Sequence, residues 1–238
     1  MTTFKQVKHI ARFELASNPW APLLLLFYGA VLFVIFVSDT LFMKSILFDV
    51  VFLSLFTGGF TFFAKIESFK PQLIGNRYFA SHQVIFLQQL PVKKEAIFNS
   101  RVVVHNLYNF IIQMSFVILL YIFSPTLHSS MNIPTFIVFV FMWMSVGVCT
   151  SGFTAADEAG KGVSNRSFAM SLMPIVVFAG LLFALYTWTP YTLIKGSITI
   201  ANEWPFVGII GAIILASAGL YYGRKKMIRL LQTTDYIS

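Results

Sequence analysis

The chain has 238 residues, 57% of them hydrophobic and 11% charged, with 17 basic side chains against 9 acidic ones. Folded as one soluble globule it would expose on the order of 11,000 Å², with about one charge per 400 Å², a spacing at which apolar patches associate. That excludes a water-soluble monomer, and no mixed, charged stretch is long enough to build a second, soluble catalytic domain.

At the start of the chain, Phe4, Val7, Ala11 and Leu15 recur at helical spacing, with Lys5, Lys8, His9 and Arg12 on the other side. This predicts an amphipathic helix over 4–18 lying in the membrane interface. Pro19 pushes Asn18 out of the α region and ends it. The apolar run that follows is too long for a signal peptide and lacks a small-x-small cleavage pattern, so it is expected to be retained. Six runs of about 20 apolar residues are then met, at 20–38, 46–64, 102–123, 134–155, 168–188 and 205–223,. Asp49 is the one Asp, Glu, Lys or Arg inside them. Leu23-Leu24-Leu25-Leu26-Phe27 does not alternate as a barrel strand would,. In hydrocarbon, a backbone must satisfy its own hydrogen bonds, so the runs read as helices. The predicted fold is all-α and polytopic: one transmembrane domain over 1–238 with six spans and an N-terminal interfacial helix.

With the N-terminus placed inside, fifteen of the Lys and Arg residues fall on the inner side and only Lys44 and Lys195 on the outer. This asymmetry predicts that both termini are cytoplasmic, in a multi-pass protein of the plasma membrane. It also explains the net charge of +8: the cations sit beside anionic headgroups, and a nucleic-acid partner is not expected.

Little in the sequence points to catalytic chemistry. Cys149 is the single cysteine and lies in an apolar run, as a small buried hydrophobe,. Ala155-Ala156-Asp157-Glu158-Ala159-Gly160-Lys161-Gly162 resembles a phosphate loop only superficially. Ala155 stands where the first Gly belongs, Gly162 where a Ser or Thr belongs, and a membrane helix precedes it. The histidines at 9, 82, 105 and 128 have no metalloprotease spacing, and Thr150-Ser151-Gly152 is a fragment of a nucleophile motif,. Asp157 and Glu158 read as a solvated inner loop rather than an acid–base couple. No metal site and no enzyme active site is expected.

Two patterns in the spans carry more. Arg101, His105, Asn109 and Gln113 recur every four residues in the third run, with Asn106 alongside. Such a stripe must face protein or water, as hydrogen bonding between packed helices or as the wall of a translocation pathway. In the last run Gly208, Gly211, Ala212, Ala216, Gly219 and Gly223 form small-residue ridges, which suit close packing within the chain or a homodimer face. Residues 189–204 form an amphiphilic outer segment between Trp188 and Trp204.

The long inner loop, 65–101, is the one cytosolic segment large enough to act on something. Tyr78 to Leu90 is expected as a short helix with apolar positions at Phe79, Phe86, Leu87 and Leu90, stopped by Pro91. An exposed aromatic helix of this kind must rest on the membrane or dock on a partner.

The stretch Leu90-Pro91-Val92-Lys93-Lys94-Glu95-Ala96-Ile97, just before the third span, resembles the corresponding stretch of type-2 permease subunits of ATP-binding-cassette exporters. The basic N-terminal helix, the six spans, the cytoplasmic termini and the loop between spans two and three are similar to that family along the whole chain. One departure is that the family often has a Glu-rich stretch and a Gly-Thr ahead of the coupling helix, whereas here Glu67 is the only acid in that part of the loop, with Gly75-Asn76-Arg77-Tyr78 filling the rest.

The resemblance implies two permease protomers, the same or homologous, paired with two separate ATPase subunits. These subunits bind the ATP and Mg, so no cofactor is expected in this chain. It implies that Tyr78, Phe79, Phe86, Leu87, Leu90 and Pro91 couple to the ATPase. His105, Asn109 and Gln113 would face the translocation pathway, and Gly219 and Gly223 would pack helices. The small size and Phe-rich core look like permeases that export amphipathic or antimicrobial peptides, including phenol-soluble modulins. The competing function class is a non-transport membrane module, an assembly factor or an intramembrane enzyme.

Overall fold

Helix-start chemistry recurs where the chain turns. Ser124, Asn132 and Thr192 each accept a hydrogen bond from the backbone N–H three residues on, at 3.3, 2.9 and 3.1 Å. Pro125 and Pro134 stand within the first two positions of the helices that follow, where a missing N–H costs nothing. The computed structural model describes residues 2–36, 46–58, 65, 69–74, 78–162, 187 and 192–233. Its helices are α1 (Thr3–Ser17), α2 (Ala21–Phe36), α3 (Ile46–Phe56), α4 (His82–Gln89), α5 (Lys94–Phe123), α6 (Pro125–Ser130), α7 (Ile133–Asp157), α8 (Leu193–Glu203) and α9 (Pro205–Thr233). Strands β1 (Pro71–Ile74), β2 (Tyr78–Ser81) and β3 (Lys161–Gly162) form a small antiparallel sheet in that order.

Among the described residues, three helices, α5, α7 and α9, are long and apolar enough to cross a membrane. Taken together, α1 and α2, bent by 69° where Asn18 and Pro19 interrupt the helix, make a fourth candidate. The expected fifth run, 168–188, lies outside the described residues apart from Thr187, as do the ends of the first two runs.

Two expectations are corrected. The chain is not purely helical, and Tyr78 to Ser81 is strand rather than the first turn of the loop helix. Phe79 pairs with Leu73 on β1 and with Lys161 on β3. Cross-strand pairing, available only in the folded chain, overrides a local helical reading of aromatic residues that favour strands intrinsically. The helix of the third apolar run, α5, also begins earlier than that run, at Lys94, with Glu95 in its first turn, a placement the helix dipole favours.

Apolar side chains gather in two clusters. The larger one joins α2, α3, α5, α7 and α8 around Phe52, which stacks on Phe56 at 4.8 Å and meets the edge of Trp143 at 4.7 Å,. The smaller lies at the basic end of the long helices. There Ile10 of α1, Leu87 of α4, Ile97 of α5, Ala156 of α7 and Leu231 of α9 converge.

The most extensive helix pair is α7 with α9. Its contact is made by Gly152, Gly219 and Gly223: a Cβ at Gly219 would run into the backbone of Cys149, and one at Gly223 into that of Gly152. Close backbone approach of this kind packs helices where water supplies no driving force.

Candidate functional site

At the basic end, five ionisable side chains from four segments of the chain meet out of contact with solvent. They are Glu14 of α1, Lys65, Arg101 and His105 of α5, and Glu158 just past α7, none more than 6% exposed. Arg101 is the centre. Its guanidinium donates through Nη2 to Glu14 Oε2 and through Nη1 to Gln83 Oε1 of α4. Its Nε lies 2.7 Å from Glu158 Oε2, as a charge contact rather than an aligned hydrogen bond. Lys65 Nζ donates to Glu158 Oε1 at 2.5 Å, and His105 Nε2 sits 3.0 Å from the same oxygen and 3.1 Å from Lys65 Nζ.

Two carboxylates thus face one guanidinium and one ammonium, and the charges balance. Burial alone would push the Glu158 carboxyl up. Arg101, Lys65 and His105 around it outweigh that and hold it well below the usual carboxylate range,. Removing one partner from such a set strands a buried charge, which costs about 3–5 kcal/mol. The arrangement is therefore a joint, locking α1, the lobe formed by the sheet and α4, and the long helices α5 and α7 to one another. Further ties seat the lobe: Ser81 N–H donates to Glu158 O at 3.0 Å, and Gln88 Nε2 to Leu231 O at 2.8 Å.

On the lobe, Phe79, Phe86 and Leu90 stand outward, Phe86 at 59% exposure, and Pro91 is exposed. Leu87 points the other way and is buried with Val84, so it anchors α4 rather than offering contact surface. Tyr78 is the first residue of β2. His105, Asn109 and Gln113 are all buried. His105 belongs to the charge cluster. Asn109 packs on Gly58, whose φ of +81° suits only glycine there, and a Cβ would sit 2.8 Å from Asn109 Oδ1,. Gln113 Nε2 donates to Phe56 O at 3.1 Å, closing the end of α3. Gly219 and Gly223 lie in the seam between α7 and α9 within one chain.

Sequence reading missed the partners of Arg101. Glu158, expected in a solvated loop, is buried. Glu14 left one signal: it lies on the α1 edge that also carries Val7 and Ala11, an acid on an apolar stripe. A larger cavity, about 630 Å³, lies between α7, α8 and α9, with Trp143, Ile200 and Gly211 among its walls. It has no ionisable lining group, so the chemistry centres on the charge cluster. At that end Asp49 accepts the backbone N–H groups of Leu193 and Ile194 at 2.8 and 3.3 Å, tying α8 to α3.

No family model, curated protein or solved structure matches the chain.

Proposed function

We propose that the chain is the permease subunit of an ATP-driven exporter of amphipathic or hydrophobic cargo, with six spans and both termini cytoplasmic. Separate ATPase subunits bind the nucleotide and drive alternating access in a pair of permease protomers. The observation that carries this reading is the lobe between α3 and α5. It offers Phe79, Phe86 and Leu90 outward while Arg101 and Glu158 lock it to α1, α5 and α7. A surface of exposed aromatics on a rigidly connected lobe suits a partner that pushes on the helices, because a push on the lobe reaches three helices through one joint. The positive-inside asymmetry of the Lys and Arg residues supports a cytosolic position for this end, the side on which an ATPase would dock. A shift between inward- and outward-facing states of several kcal/mol is within what nucleotide binding supplies.

The test is affinity purification from the native membrane, followed by an ATP hydrolysis assay. The expected result is a co-purifying ATPase that Phe86→Asp releases while the variant still inserts in the membrane. A chain that retains no nucleotide-hydrolysing subunit, or hydrolyses ATP unaided, overturns the reading and leaves a non-transport membrane module.

A further inference from the structure

We propose that the crevice where α5 and α9 meet at their basic ends is a binding site for one anionic phospholipid of the inner leaflet. The crevice measures about 360 Å³. Val102 and Val103 of α5 and Leu220 of α9 make its apolar walls, and Asn99, Tyr221 and Arg224 its polar mouth. Val103 is 47% exposed and Tyr221 63%, so the crevice opens sideways, toward the bilayer. Tyr221 and Tyr222 meet edge to face at 5.4 Å, the kind of aromatic pair that settles at headgroup level. One residue beyond Gly223 the sequence turns from apolar to basic. The walls therefore lie at acyl-chain depth and the mouth at phosphate depth.

Charge selects the headgroup. Between Pro205 and Thr233, α9 carries Arg224, Lys225, Lys226 and Arg229 and no acid. Lys226 is taken by Asp157, and Arg224 Nη2 gives one hydrogen bond to Glu95 Oε1 at 2.9 Å. The other donors of the Arg224 fork have no protein partner among the described residues, and neither Lys225 nor Arg229 has a carboxylate partner there. A guanidinium takes a phosphate through two parallel N–H bonds, and the Asn99 amide adds donors beside it. A zwitterionic headgroup such as phosphatidylcholine would bring its own cation against Arg224 and Lys225, whereas phosphatidylglycerol brings none. Basic pockets between helices at the cytoplasmic face are where such lipids bind. Glu95 competes with the phosphate for Arg224, which gives the site an internal check.

The inference rests on the basic end facing the inner leaflet and is independent of any ATPase, so it is tested on the purified chain alone. The protein is placed in nanodiscs of phosphatidylglycerol or phosphatidylcholine, released, and its retained lipid counted by native mass spectrometry. The expected result is a retained phosphatidylglycerol in preference to phosphatidylcholine. Arg224→Gln lowers that preference about fivefold, the factor one cation supplies near an anionic surface. Glu95→Gln raises it, and Val103→Trp abolishes retention by filling the crevice. Equal retention of the two lipids overturns the proposal, as does retention unchanged in Val103→Trp. So does a change in the same direction for Arg224→Gln and Glu95→Gln, which would mark a plain surface ion pair. Displacement of the lipid by millimolar inorganic phosphate would assign the site to a free anion and overturn it as well.

Discussion

Arg101 and Glu14, 87 residues apart in the sequence, form an ion pair with both side chains at 2% exposure or less. One partner sits on α1 and the other on the long apolar helix α5, so the pair fixes how the two helices lie against each other. Replacing Arg101 by Met leaves Glu14 and Glu158 buried opposite Lys65 alone and is expected to cost about 3–5 kcal/mol. Glu14→Gln should cost less, because Arg101 keeps Glu158 and Gln83. A double-mutant cycle by thermal unfolding in detergent should return a coupling of about 0.5–3 kcal/mol between positions 14 and 101. Additive losses would mean that the pair carries no interaction of its own.

The same cluster gives the fold an acid limb. The ordinary carboxyl value for Glu158 is 4.5, and the folded protein holds it well below that. A group depressed in this way adds stability that is fully present above about pH 4.5 and is lost as the pH falls toward its folded value. Stability of the purified protein should therefore fall progressively as the pH drops below about 4.5, and Glu158→Gln should flatten that part of the curve while lowering stability at pH 7,. An acid limb equally steep in Glu158→Gln would assign the loss to other titrating groups.

On α4, neighbouring apolar residues have opposite roles. Leu87 is buried and Phe86 stands 59% exposed. Leu87→Asp is expected to destabilise by about 3 kcal/mol or more, since it removes a packed side chain and buries a charge. Phe86→Asp should stay within about 0.5 kcal/mol of the parent and lose only the partner-dependent activity. Cargo efflux in vesicles, measured beside a melting curve, separates the two. A Phe86→Asp protein with full ATP-driven efflux would show that the outward face of α4 transmits nothing.

Much of this architecture was legible in residue patterns. The spacing of Phe4, Val7, Ala11 and Leu15 and the break at Asn18-Pro19 locate α1 and its end, and the apolar runs locate α2, α3, α5, α7 and α9. What escaped is non-local. Nothing near Tyr78 announces that β1 and β3 will compete for it against a helical turn. Glu158 looks like a loop acid until α5 brings Arg101 and His105 beside it, the latter 53 residues away in sequence. The polar stripe was visible from its period, but only the packed chain shows Gln113 closing α3 and Asn109 resting on Gly58. Period reports which face a residue shares, and partners depend on which helix folds against that face.

The glycines of α9 separate packing from dimerisation by a contrast within one helix. Gly219 lies against the backbone of Cys149, whereas Gly211 has open space around the position of a Cβ. Gly219→Val must push α7 and α9 apart, and overpacking of this sort costs about 1–3 kcal/mol. Gly211→Ala meets no obstacle and gains helix propensity of up to about 1 kcal/mol. Melting temperatures should thus move in opposite directions, with the oligomeric state in detergent unchanged for both. A Gly219→Val protein that melts like the parent but shifts from dimer to monomer on sizing would instead place this ridge on an interface between two copies, with the seam against Gly152 yielding to it.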